Sequence, residues 1–146
     1  MKAAIIYSSI TGNTVTLAEA IELEMRQNKI DVDLIPINEL DYQQLSCYDT
    51  IVIGTYTWGN GDIPPEMDEL FFTIETRDFQ NVTTGVFGTG DSFYPYFCGA
   101  VDLFRDMLYV HTNLAVTLKV ELLPQSEDLA KVKTFCQRLV TPLVTV

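Results

Sequence analysis

Apolar positions along the chain follow two periods, one typical of buried strands and one typical of amphipathic helices. Residues 3–7 form an unbroken apolar run, and residues 8–14 are mostly polar. Residues 15–25 then place apolar side chains largely at three- and four-residue spacing, with polar side chains between them. The start of the chain therefore predicts a strand, a loop and a helix that packs through one face.

The same alternation continues to the end of the chain. Further strands are predicted over residues 32–36, 50–54, 84–88 and 114–122, and further helices over residues 66–75, 97–110 and 127–140, the last with Ser126 as its N-cap. Charges at Asp31 and Asp33 indicate an edge position for the second strand, whereas the third strand is apolar enough to be covered on both faces. This alternation predicts one α/β domain over residues 1–146, a doubly wound five-stranded parallel sheet with helices on both faces.

Composition and charge limit the kinds of partner. The 146 residues are 47% hydrophobic, which suffices for one core without disulfides. A net charge of -11 repels nucleic acid and favours proteins with basic patches. No apolar run approaches the ~20 residues of a membrane-spanning helix, and residues 1–2 lead directly into the first strand without a signal-peptide layout. We therefore expect a cytoplasmic protein.

Three cysteines, Cys47, Cys98 and Cys136, are spread along the chain without a CxxC pair and without a histidine cluster nearby. An odd number of separated cysteines predicts neither a disulfide framework nor a zinc site. We expect reduced, mostly buried thiols and no bound metal.

The first loop, residues 8–14, joins the first strand to the first helix. Its small polar side chains include Ser9, Thr11, Asn13 and Thr14. Successive N–H groups at a helix start, supported by such side chains, form a nest suited to a phosphate, and Gly12 lets the backbone approach it. Because no Lys or Arg falls between Lys2 and Arg26, the phosphate would be held by neutral dipoles alone. The alternative is a polar turn in which a Thr or Asn caps the helix.

The second loop, residues 55–62, and the third loop, residues 88–100, follow the third and fourth strands. The second loop holds the chain's single tryptophan, Trp58, among Thr, Gly and Asn residues, where a flat aromatic ligand would explain it better than a core position. The third loop combines a Gly-Thr-Gly-Asp sequence with several aromatic residues. Alone, Trp58 is typical of a core or interface anchor and the third loop of a strand-end turn, but together the three loops predict a site at one sheet edge.

Together these loops resemble the flavodoxin family, whose phosphate-loop pattern of Ser/Thr, any residue, Thr, Gly, any residue and Thr is met by residues 9–14. The resemblance extends over essentially the whole chain and places it with the short-chain group. It implies the strand order 2-1-3-4-5, for which flavodoxin is itself the usual illustration, and an FMN held without a covalent bond. It also implies that Trp58 packs against one face of the flavin ring and Tyr94 against the other, while backbone groups from Asp91 to Cys98 contact the pyrimidine edge.

The cofactor-binding residues that the resemblance implies are Ser9, Ile10, Thr11, Gly12, Asn13, Thr14, Thr57, Trp58, Gly59, Asn60, Thr89, Gly90, Asp91, Tyr94, Tyr96 and Cys98. The peptide between Gly59 and Asn60 is expected to turn over when the flavin gains an electron. Two positions depart from the family. Asn60 stands where an acidic residue is common, and Phe93 adds bulk beside Tyr94.

The function implied is that of a low-potential, one-electron carrier, not an enzyme. It would be a monomer that docks through an acidic surface on a flavin-containing reductase as donor and on redox enzymes as acceptors. Acidic residues predicted to surround or flank the ring are Asp62, Glu66, Asp68, Glu69 and Asp91. They disfavour negative charge on a reduced ring.

Two other FMN proteins with this fold remain alternatives, an activator dedicated to one metalloenzyme and a small FMN-dependent reductase. The reductase would need a second substrate cleft, and the single histidine, His111, is expected to be a capping or surface residue at the end of the third helix. A response-regulator module is excluded, because it needs acidic residues after the first strand and an Asp ending the third. This chain has Ser8-Ser9 and Gly54-Thr55 there.

Overall fold

A computed structural model of the chain describes residues 2–59, 61–91, 97–121 and 126–140. Its strands are β1 (Lys2–Tyr7), β2 (Asp31–Pro36), β3 (Thr50–Thr55), β4 (Thr83–Gly90) and β5 (Asn113–Glu121). Its α-helices are α1 (Asn13–Gln27), α2 (Asp68–Thr76), α3 (Gly99–His111) and α4 (Leu129–Val140). The last residue of the predicted fifth strand, Leu122, lies outside the described residues.

The five strands form one sheet in the order β2-β1-β3-β4-β5, and every neighbouring pair is parallel. This confirms the predicted topology, including the edge position of β2. Strand β1 pairs on both sides, so that Ile5 lies opposite Leu34 of β2 and Val52 of β3. The strand order reverses between β1 and β3, and ligands of such sheets bind at this point beyond the carboxyl ends of the strands.

Two apolar cores cover the two faces of the sheet. One lies under α2 and α3 and takes Ile6 and Ile53, whereas the other lies under α1 and α4 and takes Ile5 and Val52. Alternate residues of each central strand thus enter opposite cores, as the two-residue period of a strand requires. None of the described helices has the length and apolar character needed to cross a bilayer.

Three predicted helix starts are wrong in detail. The segments predicted to open α2 and α4 are 3₁₀ turns, Pro65–Met67 and Ser126–Asp128, so Ser126 lies inside a turn instead of capping α4. Tight 3₁₀ turns are common where a helix begins, and apolar periodicity does not distinguish them from α-helix. The third helix begins at Gly99 because Cys98 has a left-handed backbone, with φ of 52°, which an α-helix does not accept.

The thiols were expected to be mostly buried, and two of the three are. Cys98 and Cys136 are buried and Cys47 is exposed, and all three are free thiols. Burial raises the pKa of both buried thiols to about 12, so they remain protonated at neutral pH. Neither is therefore poised as a nucleophile.

Gly54 and Phe87 are closely packed against each other in the centre of the sheet. They lie opposite each other in β3 and β4, and a Cβ added at Gly54 would lie 2.3 Å from the buried Phe87 ring. That ring packs edge-on against Phe135, with the ring centroids 6.1 Å apart. A side chain at position 54 therefore has to displace an aromatic ring that other residues hold in place.

We predict that Gly54→Ala lowers the free energy of unfolding by about 1–3 kcal/mol, because the new methyl group overpacks the core. Denaturant-induced unfolding of the purified protein measures this loss. Adding Phe87→Leu makes room for the methyl group, so the double variant should be more stable than the sum of the two single losses predicts. An unchanged unfolding midpoint for Gly54→Ala would contradict the packing described.

Candidate functional site

The three loops singled out in the sequence meet beyond the carboxyl ends of β1, β3 and β4. The first loop leaves β1 for α1 on one face of the sheet, while the chain after β3 leads to α2 on the other face. Diverging connections of this kind open a crevice between the two strands. The third loop follows β4, the next strand of the sheet after β3.

The first loop offers unpaired backbone donors at the start of α1. Gly12 adopts the left-handed region with φ of 91°, which turns the chain into the helix. The Ser9 hydroxyl oxygen accepts the N–H groups of Gly12 at 3.2 Å and of Val15 at 3.4 Å. Within the described residues, the N–H groups of Asn13 and Thr14 reach no protein acceptor. Free N–H groups at a helix start suit an anion.

A buried pair of hydroxyls ties the first loop to β4. The Oγ1 atoms of Thr14 and Thr89 lie 2.9 Å apart, and both side chains are buried. One hydroxyl donates to the other, so one proton of the pair remains available to a further acceptor. This bond fixes the start of α1 against the strand that leads into the third loop.

The second loop is a small closed turn that presents Trp58. The N–H of Trp58 donates to the Asp62 carbonyl at 2.8 Å, and the N–H of Asp62 donates back at 2.7 Å. Gly59 and Gly61 both have positive φ, at 52° and 98°, which this reversal requires. Trp58 is left 47% exposed in the loop that follows β3, which is a large exposed apolar surface for one side chain.

The second and third loops contact each other through their backbones. A Cβ added at Gly99 would lie 2.8 Å from the Cα of Gly61, so only glycine permits this approach. The N–H of Ala100 donates to the Thr57 hydroxyl at 3.2 Å, which ties the start of α3 to the second loop. The buried thiol of Cys98 packs beside Gly90, where it fills space without reacting.

One carboxylate connects the ends of β1 and β3. The Ser8 hydroxyl and the Tyr56 phenol each donate to Oε2 of Glu66 at 2.5 Å. Burial opposes ionisation of Glu66, but these two hydrogen bonds outweigh it and hold the pKa of the carboxyl below its usual value. Burial and the bond to Glu66 raise the pKa of Tyr56 to about 12, so the phenol keeps the proton that it donates.

A cavity lined by described residues adjoins these loops. It has a volume of about 510 Å³ beside the first loop and is bordered by Ser8, Ser9, Asn38 and Glu66. Another cavity, about 620 Å³, is bordered mainly by residues of β5 and α4 and by none of the residues of the three loops. Because position at the switch point matters more than volume in this class of sheet, the loop region is the candidate site.

Most of the predicted site residues lie within the described parts of the three loops. They are Ser9, Ile10, Thr11, Gly12, Asn13, Thr14, Thr57, Trp58, Gly59, Thr89, Gly90, Asp91 and Cys98. The structure brings Thr14 and Thr89 into contact, whereas the side chain of Ile10 is 65% exposed. The predicted residues Asn60, Tyr94 and Tyr96, together with Phe93, lie outside the described residues.

Sequence reasoning missed the role of Ser8 and Tyr56. Each directly follows an apolar strand, which marks both as residues at the sheet edge, but no spacing rule pairs them with Glu66. Within the described residues there is no cluster of three or more metal-ligating side chains, and His111 ends α3 away from the loops. The site therefore offers neutral hydrogen-bond donors and one exposed aromatic surface.

Comparison with known proteins identifies the family that shares this arrangement. The profile described as Flavodoxin matches residues 5–132. "Probable flavodoxin 1" of Bacillus subtilis is 40% identical over 140 residues, which cover 93% of this chain and 88% of the relative. The flavodoxin of Maridesulfovibrio salexigens is 34% identical over 133 residues, covering 88% of this chain and 91% of the relative.

Solved structures agree with the sequence comparison. Oxidised Flavodoxin 1 from Bacillus cereus superimposes with a TM-score of 0.89 at 33% identity, covering 98% of this chain and 99% of that one. A short-chain flavodoxin associated with a bacterial microcompartment gives a TM-score of 0.92 at 26% identity and covers 97% of both chains.

We predict that Thr14→Val and Thr89→Val each lower the free energy of unfolding by about 1–3 kcal/mol, because each leaves a buried hydroxyl without its partner. The double variant should lose less than the sum, with a coupling of about 0.5–3 kcal/mol. Denaturant unfolding of the four proteins in a double-mutant cycle measures the coupling.

A matched control is Thr134→Val in α4, whose exposed hydroxyl bonds only to the Ala130 carbonyl, at 3.1 Å. This substitution should change the unfolding free energy by no more than about 0.5 kcal/mol. Strictly additive losses at Thr14 and Thr89 would show that the two hydroxyls do not interact.

Proposed function

The chain belongs to the flavodoxin family of electron-transfer proteins, and on that premise we propose that it binds FMN without a covalent bond and carries electrons singly between redox partners. When bound, FMN supplies the ability to accept and release one electron at a time. The protein's own residues supply binding, orientation and a fixed electrostatic environment.

The observation that carries this proposal is the set of free backbone donors in the first loop. The unpaired N–H groups of Asn13 and Thr14 converge at a helix start where Gly12 leaves the approach open. A phosphate monoester matches this donor set in charge and in number of acceptor oxygens. The Ser9 hydroxyl adds a proton donor, since its oxygen accepts from the backbone while its hydrogen remains free.

The ring of FMN is proposed to lie between the second and third loops. Support comes from Trp58, whose large exposed surface stands beside that crevice, and from the close backbone contact of Gly61 with Gly99. Stacking on tryptophan would bury apolar surface of both partners. Tyr94 is proposed to cover the ring face opposite Trp58.

A low reduction potential is favoured by the charges around the three loops. None of the loops contains a Lys or Arg, and exposed carboxylates stand nearby at Asp62, Asp68 and Glu69. Negative charge that develops on a reduced ring would therefore meet no compensating cation within these loops. Solvent screening reduces the effect of each exposed carboxylate, so the field depends on their number.

The chemistry of the side chains favours a carrier over an FMN-dependent reductase. A reductase that protonates a second substrate needs a residue with a pKa near neutrality in the site. In the described part of the loops, Tyr56 stays protonated and Glu66 stays ionised across the neutral range, and the thiol of Cys98 has a pKa of about 12. None of these three groups is poised as a general acid or base at neutral pH.

The proposal predicts that purified protein mixed with FMN shows a shifted flavin absorbance spectrum and retains the flavin through gel filtration. During stepwise anaerobic reduction, a long-wavelength band should rise and then fall, since electrons enter one at a time. A direct passage to the two-electron form would favour the reductase alternative. Failure to retain FMN would overturn the proposed function.

We also predict that electron uptake from a flavin-containing reductase slows as ionic strength rises, because an acidic protein of net charge -11 is steered towards a basic docking surface. Stopped-flow reduction at low protein concentration between 20 and 500 mM NaCl, roughly Debye lengths of 20 to 4 Å, measures the effect. A second-order rate constant that does not respond to salt would contradict acidic docking.

A further inference from the structure

Glu66 occupies a rigid position between the two strands that border the crevice. It lies in the 3₁₀ turn Pro65–Met67, which Pro64 and Pro65 restrict on one side. On the other side Met67 is fully buried in the core, and its N–H donates to the Pro64 carbonyl at 2.8 Å. The backbone at Glu66 is thus held in place, and the hydrogen bonds from Ser8 and Tyr56 position its carboxylate.

Both donors to Glu66 come from residues that directly follow a central strand. Ser8 follows β1, is 5% exposed, and its N–H donates to the Gly54 carbonyl at 3.0 Å, which continues the pairing of β1 with β3. Tyr56 follows β3. A single oxygen, Oε2 of Glu66, accepts both hydroxyls, so this atom links the start of the first loop to the start of the second just beyond the paired strands.

We propose that Glu66 is a positioning residue that fixes the first loop relative to the second, so that the phosphate and the ring of one FMN molecule are bound at the same time. This role rests on the proposed function. FMN is the ligand that spans both loops, whereas riboflavin, which lacks the phosphate, needs only the ring site. A misplaced first loop therefore costs FMN more than riboflavin, because preorganisation is lost only for the ligand that bridges the two loops.

The test compares FMN and riboflavin dissociation constants, measured by quenching of flavin fluorescence, for wild type, Glu66→Ala and Glu66→Gln. Glu66→Ala should weaken FMN binding by about tenfold or more and riboflavin binding by less than about threefold, since two charge-assisted hydrogen bonds are lost. Glu66→Gln keeps an oxygen that accepts both hydroxyls, so its FMN affinity should stay within about threefold of wild type.

Three further variants separate positioning from a general effect of charge. Tyr56→Phe removes one of the two bonds while the carboxylate stays, so it should weaken FMN binding less than Glu66→Ala and add nothing to it in the double variant. Glu75→Gln removes one exposed negative charge from the far end of α2 and should leave both affinities unchanged.

The outcomes distinguish this role from the proposed function. Equal weakening of FMN and riboflavin by Glu66→Ala, or FMN affinity within about twofold of wild type, would overturn the positioning role while leaving the carrier function intact. A wild-type protein that binds no flavin would overturn the proposed function, and the positioning role with it. Selective loss of FMN affinity in Glu66→Ala, recovered in Glu66→Gln, would establish the role.

Discussion

Parallel pairing of β1 with β3 is the constraint on which the rest of the site depends. Parallel strands require crossover connections, so every loop that follows a strand emerges at the same edge of the sheet. Because α1 returns over one face and α2 over the other, the loops after β1 and β3 diverge and leave a crevice between them. The N–H of Ser8 donates to the Gly54 carbonyl, so the pairing continues to the first residue of the first loop. The position of the crevice is thus set by backbone hydrogen bonds that the ligand does not supply.

Short loops of small polar residues bury too little apolar surface to be held in place by packing. Hydrogen bonds between the loops hold them in place instead. Thr14 with Thr89 joins the first loop to the strand before the third, and the Ala100 N–H with Thr57 joins the third to the second. Glu66 joins the first to the second through two hydroxyls. The three loops are therefore connected in a closed set. The connection at Thr14 uses its side-chain hydroxyl, which leaves the backbone N–H groups of Asn13 and Thr14 free to contact a ligand.

The two hydrophobic periods predicted each strand and α-helix that the described residues form, because burial on one face or on both faces determines the spacing of apolar residues. They did not predict the 3₁₀ helices Ile37–Glu39 and Tyr42–Cys47. Helix starts were predicted less well, since a left-handed residue such as Cys98 or a 3₁₀ turn such as Pro65–Met67 reflects local packing that leaves the periodicity unchanged. Residue types also singled out three loops, and the structure brings all three to the same edge of the sheet. They did not indicate the connections between loops, because Thr14 and Thr89 are 75 residues apart and only the folded sheet makes them neighbours.

The charge of the protein explains why such rigid placement is needed. The dianionic phosphate of the proposed ligand would approach a chain of net charge -11 whose first loop holds no cation, so long-range electrostatics would oppose its binding. Backbone dipoles attract an anion only at short range and only when several point at the same place. Affinity must therefore come from donors that are aligned before the ligand binds. Ordering a flexible loop on binding would cost conformational entropy and offset the small binding free energy that each N–H group contributes. On the proposed function, a neutral phosphate site in an acidic protein requires loops that are fixed in advance, and the same acidity would disfavour negative charge on the flavin ring and favour a basic partner.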